Sequence, residues 1–268
     1  MYGVVYLKNT RIQELKKLFL NKKQLLNKEL CDLFGVSIET IRRDLNILEQ
    51  ENFIQKVYGG ARLVENTSIP DNIEAWDTRR KKNEMFKKSI AERVAELIPD
   101  GCTVFLDTGT SVFEVLPLLQ EKKNLTVLTN SLRVATELAL CDSFSVYNIG
   151  GLVKRETLTS VGLFAKEFLA SFYRIDFAVL SCDGFVPERG TTEYSREIAE
   201  FKQLIIDKTA HIIAVADHTK FGITGSCFCC PTEKIGTLVT DSLAGEPAVS
   251  YLTERGVRVV QTSSGEYL

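Results

Sequence analysis

Val36-Ser37-Ile38-Glu39-Thr40-Ile41-Arg42-Arg43-Asp44-Leu45-Asn46-Ile47-Leu48-Glu49 is the stretch on which the architecture of this chain turns. Ile41, Leu45 and Leu48 recur at i, i+4 and i+7, the stripe of an amphipathic helix. Ser37 stands where it can cap that helix, and Glu39 complements the dipole of its first turn. The opposite face presents Glu39, Thr40, Arg42, Arg43 and Asn46. Just upstream, Gly35 breaks a short helix expected over residues 28–34, with Leu30, Leu33 and Phe34 inward and Asn27 as its N-cap. Before that, residues 11–20 carry Ile12, Leu15, Leu18 and Phe19 at helical spacing, with Lys16 and Lys17 turned outward.

A short helix, a tight Gly-Val turn and a capped helix faced with Thr and two Arg is what a helix-turn-helix requires: one helix braces and the next enters the major groove. The rigid fork of arginine can engage guanine edges or phosphates, and Thr40 near the helix start can reach a base or the backbone. The spacing alone also fits a structural three-helix bundle with a solvated Arg pair. The residues after Glu49 favour the helix-turn-helix. Phe53-Ile54-Gln55-Lys56-Val57-Tyr58 alternates like a strand, Gly59-Gly60 turns it, and Ala61-Arg62-Leu63-Val64 returns. A hairpin directly after the third helix makes a winged helix, with Lys56, Tyr58 and Arg62 where a wing meets the sugar-phosphate backbone.

The run from Val36 to Glu49, followed by Tyr58-Gly59-Gly60-Ala61, resembles the signature of the DeoR family of bacterial transcriptional regulators, VSxxTIRRDLxxLE and then HGGA or YGGA. The resemblance implies that Thr40, Arg42 and Arg43 face DNA, with Lys56, Tyr58 and Arg62 assisting; Ser37 and Asn46 complete the candidate DNA-binding set. Residues 1–9, with Val4, Val5, Tyr6 and Leu7, depart from a basic arm and are expected to pack.

Charge divides the 268 residues. Residues 1–64 hold 11 Lys+Arg against 7 Asp+Glu, whereas the whole chain has 33 against 35 and a net charge of -2, a basic head on an acidic body. A local excess of positive charge suits a polyanion, although the same excess is also common on a solvated surface. With 44% hydrophobic and 25% charged residues, disordered, collagen-like and coiled-coil classes are excluded. The longest uncharged run, residues 221–232, is too short for a membrane-spanning helix, and the start lacks the pattern of a signal peptide, so a cytoplasmic protein is expected. Seven cysteines scattered through apolar runs (31, 102, 141, 182, 227, 229, 230) read as reduced, packed thiols rather than a disulfide framework.

Three regions are therefore expected: a winged helix-turn-helix DNA-binding domain over residues 1–65, a linker over 66–85 and an α/β effector-sensing and oligomerisation domain over 86–268. The linker becomes helical near its end, and its run Arg79-Arg80-Lys81-Lys82 either touches DNA or is simply solvated, the second being preferred. In the body, a helix through Ile90, Val94, Leu97 and Ile98 leads to a strand over 102–106. Asp107-Thr108-Gly109-Thr110-Ser111 then opens a helix over 112–119. Small residues admit backbone N–H groups to an anion, hydroxyls donate to it, and a helix N-terminus adds positive potential. The motif is neither GxxxxGK[ST] nor GxGxxG, so nucleotide cofactors have no support. The unit repeats: strands over 125–128, 146–149, 176–182, 212–216 and 238–240 end in Thr129-Asn130-Ser131, Gly150-Gly151, Asp183-Gly184, Asp217 with Lys220 behind it, and Asp241. Polar and glycine residues after successive strands are where ligands bind in open parallel α/β sheets, so one site built from several loops is implied.

This half also looks like the DeoR-family sensor, through DTGTS, LTVLTNS, IGG, SVG, ADHTKFG and VTD. The resemblance implies an open, mainly parallel α/β fold similar to ribose-5-phosphate isomerase, binding a phosphorylated sugar or related metabolite. Thr108, Gly109, Thr110 and Ser111 would hold phosphate and Lys220 would supply charge. Asp107, Asn130, Asp183 and Asp217 would receive sugar hydroxyls or orient loops, and Thr129, Gly150, Gly151 and Gly184 complete the candidate site. Lys202, on a helix over 195–208, is set behind these as a surface lysine.

Two other readings compete with this one. An isomerase with a DNA-binding head would show a further acidic pair and a lysine after Asp183-Gly184; Phe185-Val186-Pro187-Glu188-Arg189-Gly190 stands there instead, and Glu188, Glu193 or Glu197 as a lone carboxylate is a poor base. A metal or redox sensor could use Cys227-Phe228-Cys229-Cys230, but His211 and His218 are not at ligand spacing, and one strand with alternating buried cysteines is the simpler reading. The expectation is a transcriptional regulator, not an enzyme, of sugar-metabolism genes, most simply a repressor. It has no cofactor or metal and no membrane, its partners are operator DNA and a phosphosugar, and it acts as a dimer or tetramer because a half-site reader needs a second copy.

Overall fold

The computed structural model describes residues 24–50, 54–63 and 76–262, with residues 11, 12, 14, 15, 18, 19 and 22 before them. The expected packing of residues 1–9, the outward Lys16 and Lys17, the wing ends at Phe53 and Val64 and linker residues 66–75 lie outside the described residues. The chain forms two compact units, Met1–Ser68 and Ile69–Leu268.

In the first unit, the described residues 11–19 are helical and bury Ile12, Leu15 and Phe19. A strand, β1 (Gln24–Leu26), runs into helix α1 (Asn27–Phe34), which buries Leu30 and Phe34. Leu33, expected inward, is 59% exposed, because it lies about 100° round the helix from Phe34, at the edge of the stripe that Leu30 and Phe34 bury. Asn27 is not the cap: it is the first helical residue, Leu26 precedes it, and Glu29 accepts the Leu26 backbone N–H at 3.0 Å. Gly35 ends α1 in the left-handed region at φ 63°, which costs glycine least. Helix α2 (Ile38–Gln50) comes next, started by Ser37, whose Oγ accepts the Thr40 N–H at 3.3 Å, and it buries Ile41, Leu45 and Leu48. The wing strands β2 (Ile54–Val57) and β3 (Gly60–Leu63) pair antiparallel about a turn at Tyr58-Gly59, one residue earlier than the sequence suggested. The reason is β1, which pairs with β3 and makes a third strand; a Cβ on Gly60 would lie 2.2 Å from the Leu25 carbonyl oxygen.

Among the described residues, the first elements of the second unit are helices α3 (Trp76–Lys81) and α4 (Glu84–Leu97). Beyond them lies a seven-stranded sheet, built from β4 (Thr103–Leu106), β5 (Thr126–Thr129), β6 (Ser145–Asn148), β9 (Ile175–Leu180), β12 (Thr209–Val215), β14 (Thr237–Asp241) and β15 (Arg258–Thr262). Its order is β15-β14-β12-β9-β4-β5-β6 and every pairing is parallel. Successive strand residues point to opposite faces, so Val104, Leu106, Val127, Val179 and Ile213 pack against α4, α5 (Thr110–Phe113), α6 (Leu116–Leu119) and α7 (Leu132–Leu138). Phe105, Leu128, Ala178, Ile212 and Ala214 face α8 (Leu163–Ala170), α9 (Arg196–Lys208) and α10 (Glu246–Glu254). Near-continuous apolar strands are what a sheet covered on both sides demands.

One expected helix is two. Residues 112–119 break after Phe113, because Pro117 lacks the N–H and its ring would collide with the carbonyl four residues back. Two antiparallel pieces were not anticipated: the hairpin of β7 (Leu152–Lys154) with β8 (Thr159–Val161), and a sheet of β10 (Gly184–Val186), β11 (Gly190–Glu193) and β13 (Cys227–Pro231). The chain leaves the central strand β4 toward β5 and β6, then returns to β9 on the other side. The loops after β4 and β9 therefore diverge, and a crevice opens between them, where open α/β sheets bind ligands.

Candidate functional site

On the first unit, α2 and the wing frame a groove of about 720 Å³ lined by Lys28, Arg42, Asn46, Lys56 and Tyr58, among others. Ser37, Arg42, Arg43, Asn46, Tyr58 and Arg62 are exposed, Tyr58 fully so, and Thr40 is half-buried with its Oγ1 3.0 Å from Ser37 Oγ. Several are held in place. Lys56 Nζ donates to Asn46 Oδ1 at 2.6 Å and pairs with Glu49 at 2.7 Å, while Arg62 donates to Gln55 at 2.6 and 3.1 Å. Asp44, inside the signature, turns away from this face and forms a buried two-pronged pair with Arg11 at 2.5 and 3.2 Å, fixing the first helix against α2. Lys28 was not anticipated as part of the groove, and only the fold could bring it there.

On the second unit, the crevice between β4 and β9 is a cavity of about 450 Å³, within the range of small-molecule sites. Of the predicted residues, Thr108, Gly109, Thr110, Ser111, Asp183, Asp217 and Lys220 line it. Gly109 is required there: a Cβ would lie 2.2 Å from Ser181 Oγ. Asp183 Oδ2 accepts the Tyr194 N–H at 2.9 Å, and Asp217 Oδ1 accepts the Thr219 N–H at 2.9 Å as well as its hydroxyl, so both acids shape loops.

The other predicted residues do not line this cavity. Asp107 is buried beneath it, where Oδ2 accepts from Ser181 N and Oγ at 2.9 and 2.6 Å and pairs with Lys202 at 2.6 Å. Thr129 donates to the Leu106 carbonyl at 2.7 Å and Asn130 Nδ2 to that of Ser160 at 3.0 Å. Both are buried because the β7–β8 hairpin covers the end of β5, with Ser160 N bonded to Asn130 O at 2.8 Å. Gly150 precedes this hairpin, and Gly151 lets it close on Val161, whose carbonyl oxygen a Cβ would meet at 2.6 Å. Gly184 begins β10, with the Ile223 carbonyl oxygen 2.2 Å from where its Cβ would be.

Several lining residues were missed, and one, Lys202, was set behind the others. Lys202 is buried rather than on the surface, 2.6 Å from both Asp107 and Glu193 and donating to the Ser181 carbonyl at 2.9 Å. Burial opposes its charge, but the two carboxylates outweigh it and hold the ammonium well above the ordinary lysine range. One cation cannot neutralise two buried carboxylates, and burial pushes Glu193 up to about 8. Arg79, Lys82 and Lys87 line the cavity too. The basic run is thus only partly solvated: Arg80 pairs with buried Glu114 at 2.7 Å and lies over Phe113, while Lys81 is exposed. Lys87 is buried, its ammonium donating to the backbone carbonyls of Arg79 and, at 2.6 Å, Lys82. Burial pulls its pKa down, Asp217 opposes that, and Lys220 and Arg79 add to it. Signals existed for two of these: Lys87 falls on the buried stripe of Ile90 and Val94, and Lys202 on that of Ile198 and Ile205.

The cysteines behave as packed thiols. A bulge opposite Thr191 and Thr192 places Cys229 and Cys230 both inside instead of alternating, and burial pushes both thiols up, Cys230 to about 12. Protonated buried thiols are poor metal ligands. His218, which sequence spacing set apart from any ligand group, comes together with Asp217 and Asp241, their ligand atoms within 4.8 Å of one another. Those acids are occupied: Asp241 accepts the His218 and Leu243 backbone N–H groups at 2.8 and 2.9 Å, and Asp217 holds Thr219.

A winged helix-turn-helix on one unit and a preformed small-molecule cavity on the other define a ligand-responsive regulator of transcription. Residues 11–67 match the DeoR-like helix-turn-helix domain and residues 82–242 the DeoR C terminal sensor domain. HTH-type transcriptional regulator IolR of Bacillus subtilis (strain 168) is 30% identical over 253 residues, covering 94% of this chain and 99% of its own. The glycerol-3-phosphate regulon repressor of Escherichia coli (strain K12) is 31% identical over 232 residues, 86% and 90% of the two chains. The chain belongs to the DeoR family of transcriptional regulators and is a regulator rather than an enzyme. A ribose 5 phosphate isomerase A from Neisseria gonorrhoeae aligns at 14% identity and TM-score 0.40 over 55% of this chain and 56% of that one, too remote to bear on chemistry. No helix among the described residues is long and apolar enough to cross a membrane.

Proposed function

We propose that the protein is a cytoplasmic repressor of sugar-metabolism genes whose grip on operator DNA is controlled by a phosphorylated sugar in the second unit. The observation that carries this reading is the cavity's mixed polar lining: hydroxyls and the glycine backbone of residues 108–111 with the Lys220 ammonium, beside carboxylates at Asp183 and Asp217. Hydroxyls, backbone N–H groups and ammonium suit phosphate, whereas carboxylates repel phosphate and accept from sugar hydroxyls. The name of one relative, a glycerol-3-phosphate regulon repressor, agrees with an effector of this kind. Ser37, Thr40, Arg42, Arg43 and Asn46 meet the major groove, and Lys56, Tyr58 and Arg62 the flanking backbone. One such helix reads one half-site, so the working form is a dimer or tetramer, and effector and operator oppose each other by preferring different arrangements of it.

The test is a thermal-shift screen of the full chain against sugar phosphates beside their unphosphorylated sugars. A ligand at 100 times its Kd stabilises the folded form by about 2.7 kcal/mol. Stabilisation that requires the phosphate supports the reading; stabilisation by the bare sugar alone, or by none of the panel, contradicts it.

A further inference from the structure

The loop of residues 108–111 was expected to gain positive potential from the helix it opens, but that helix ends at Phe113 after four residues. The charge that holds an anion must come from side chains, and one of them has an unusual origin. Arg79 lies on α3, the first described helix of the second unit, in residues 68–81 between the two matched family domains. Its Nε is shielded from solvent and has no hydrogen-bond partner, although the side chain borders the same cavity as Thr110 and Ser111. A buried guanidinium N–H without an acceptor costs stability until one arrives, and a phosphate oxygen is the acceptor its fork fits best. The helix that carries it is held from both ends. Lys87 caps its last turn through the Arg79 and Lys82 carbonyls, and Trp76 at its start packs edge-on against Phe113 at 5.0 Å with the Arg133 guanidinium 4.4 Å over its ring.

We propose that Arg79 is an anion ligand of the sensor cavity, and that by gripping the effector it makes α3, the helix leading from the DNA-binding unit, the element through which occupancy is passed on. This rests on the phosphate reading above. An anion reaching Arg79 draws the guanidinium toward residues 110 and 111 and turns the helix that bears it. Lys87, already committed to the Arg79 carbonyl of that helix and the Lys82 carbonyl of the turn after it, ties the same movement to α4. The loop leading to residues 110 and 111 is anchored at its start, where the Asp107 N–H donates to the Val179 carbonyl of β9 at 3.1 Å.

Trp76 is the only tryptophan of the chain, so its fluorescence reports on the start of this helix and its contacts with Phe113 and Arg133. The experiment titrates the full chain with inorganic phosphate, glycerol 3-phosphate and glucose 6-phosphate at fixed ionic strength, recording melting temperature and Trp76 emission together. Wild type is expected to show saturable stabilisation and a saturable emission change, absent with chloride. In Arg79→Gln the half-saturating concentration rises about tenfold or more, the loss of one charge-assisted contact, and the emission change disappears. Arg79→Lys, which keeps the charge without the fork, falls between, and Lys81→Gln, an equal charge loss on the exposed side of the helix, behaves as wild type. Equal half-saturation and an equal emission change in wild type and both Arg79 variants would overturn the proposal while leaving the phosphate site intact. Absence of stabilisation by every phosphate compound in wild type would overturn the phosphate reading and this inference with it.

Discussion

Glu193 and Lys202 meet 2.6 Å apart in the wall of the sensor cavity, both sealed from solvent, and the same ammonium reaches Asp107 at 2.6 Å. With burial pushing Glu193 up to about 8, the folded protein holds a proton there that the unfolded chain releases near 4.5. Between those values the folded state binds more protons, so stability is fully present below about pH 4.5 and falls as pH rises toward 8. Glu193→Gln, neutral throughout, is expected to remove that decline, a difference of order a few kcal/mol across the window. Denaturant melts followed by Trp76 emission at pH 5, 6.5 and 8 measure it; parallel curves for the two proteins would show that Glu193 is ionised in the fold.

The buried pair of Arg11 and Asp44 makes the signature aspartate a structural residue. Asp44→Ala removes the buried carboxylate that the Arg11 guanidinium meets at 2.5 Å and is expected to destabilise the first unit by clearly more than the ~1 kcal/mol of an exposed pair. Circular dichroism melts would reveal it, and a loss under about 1 kcal/mol, the value of an exposed pair, would mean the pair is open to water.

Arg42 and Arg43 are both exposed on α2. Replacing either with Ala should cost about 1–3 kcal/mol of operator binding if it meets a base, or flatten the salt dependence by about one unit if it meets a phosphate. Anisotropy titrations at several salt concentrations separate the cases. Unchanged binding by both variants would remove this helix from the groove.

Thr110→Asp sets a fixed negative charge in the cradle. Stabilisation by sugar phosphates should vanish while DNA affinity in their absence stays at the wild-type value; a retained thermal shift would place the phosphate elsewhere in the cavity.

The sequence revealed most of the first unit because its signals are local: the Ile41, Leu45 and Leu48 stripe, the Ser37 cap and the Gly59 turn each act within a few residues. Leu33 and the third strand at residues 24–26 escaped because both depend on what lies across the fold. In the body, the strand-and-loop rhythm pointed to a parallel sheet and to the loop after β4. It could not say which loops meet, since that is set by the reversal of strand order at β4 and β9. Asn130 and Gly150 follow strands on the far side of that reversal, whereas Asp183 and Asp217 follow strands on the near side and line the cavity. Lys87 and Lys202 were legible as charges on apolar stripes, but a lysine at such a position counts as solvated until its buried partners are known.

Whether the cavity and the DNA-reading face are linked is the most direct question to put to the protein. A duplex selected by the protein from a random library would be titrated by fluorescence anisotropy at constant ionic strength, with and without a saturating sugar phosphate found in the thermal screen. Linkage predicts a loss of DNA affinity of about 5- to 150-fold, matched by an equal weakening of sugar-phosphate binding when DNA is saturating. DNA affinity unchanged at full occupancy of the cavity would contradict it.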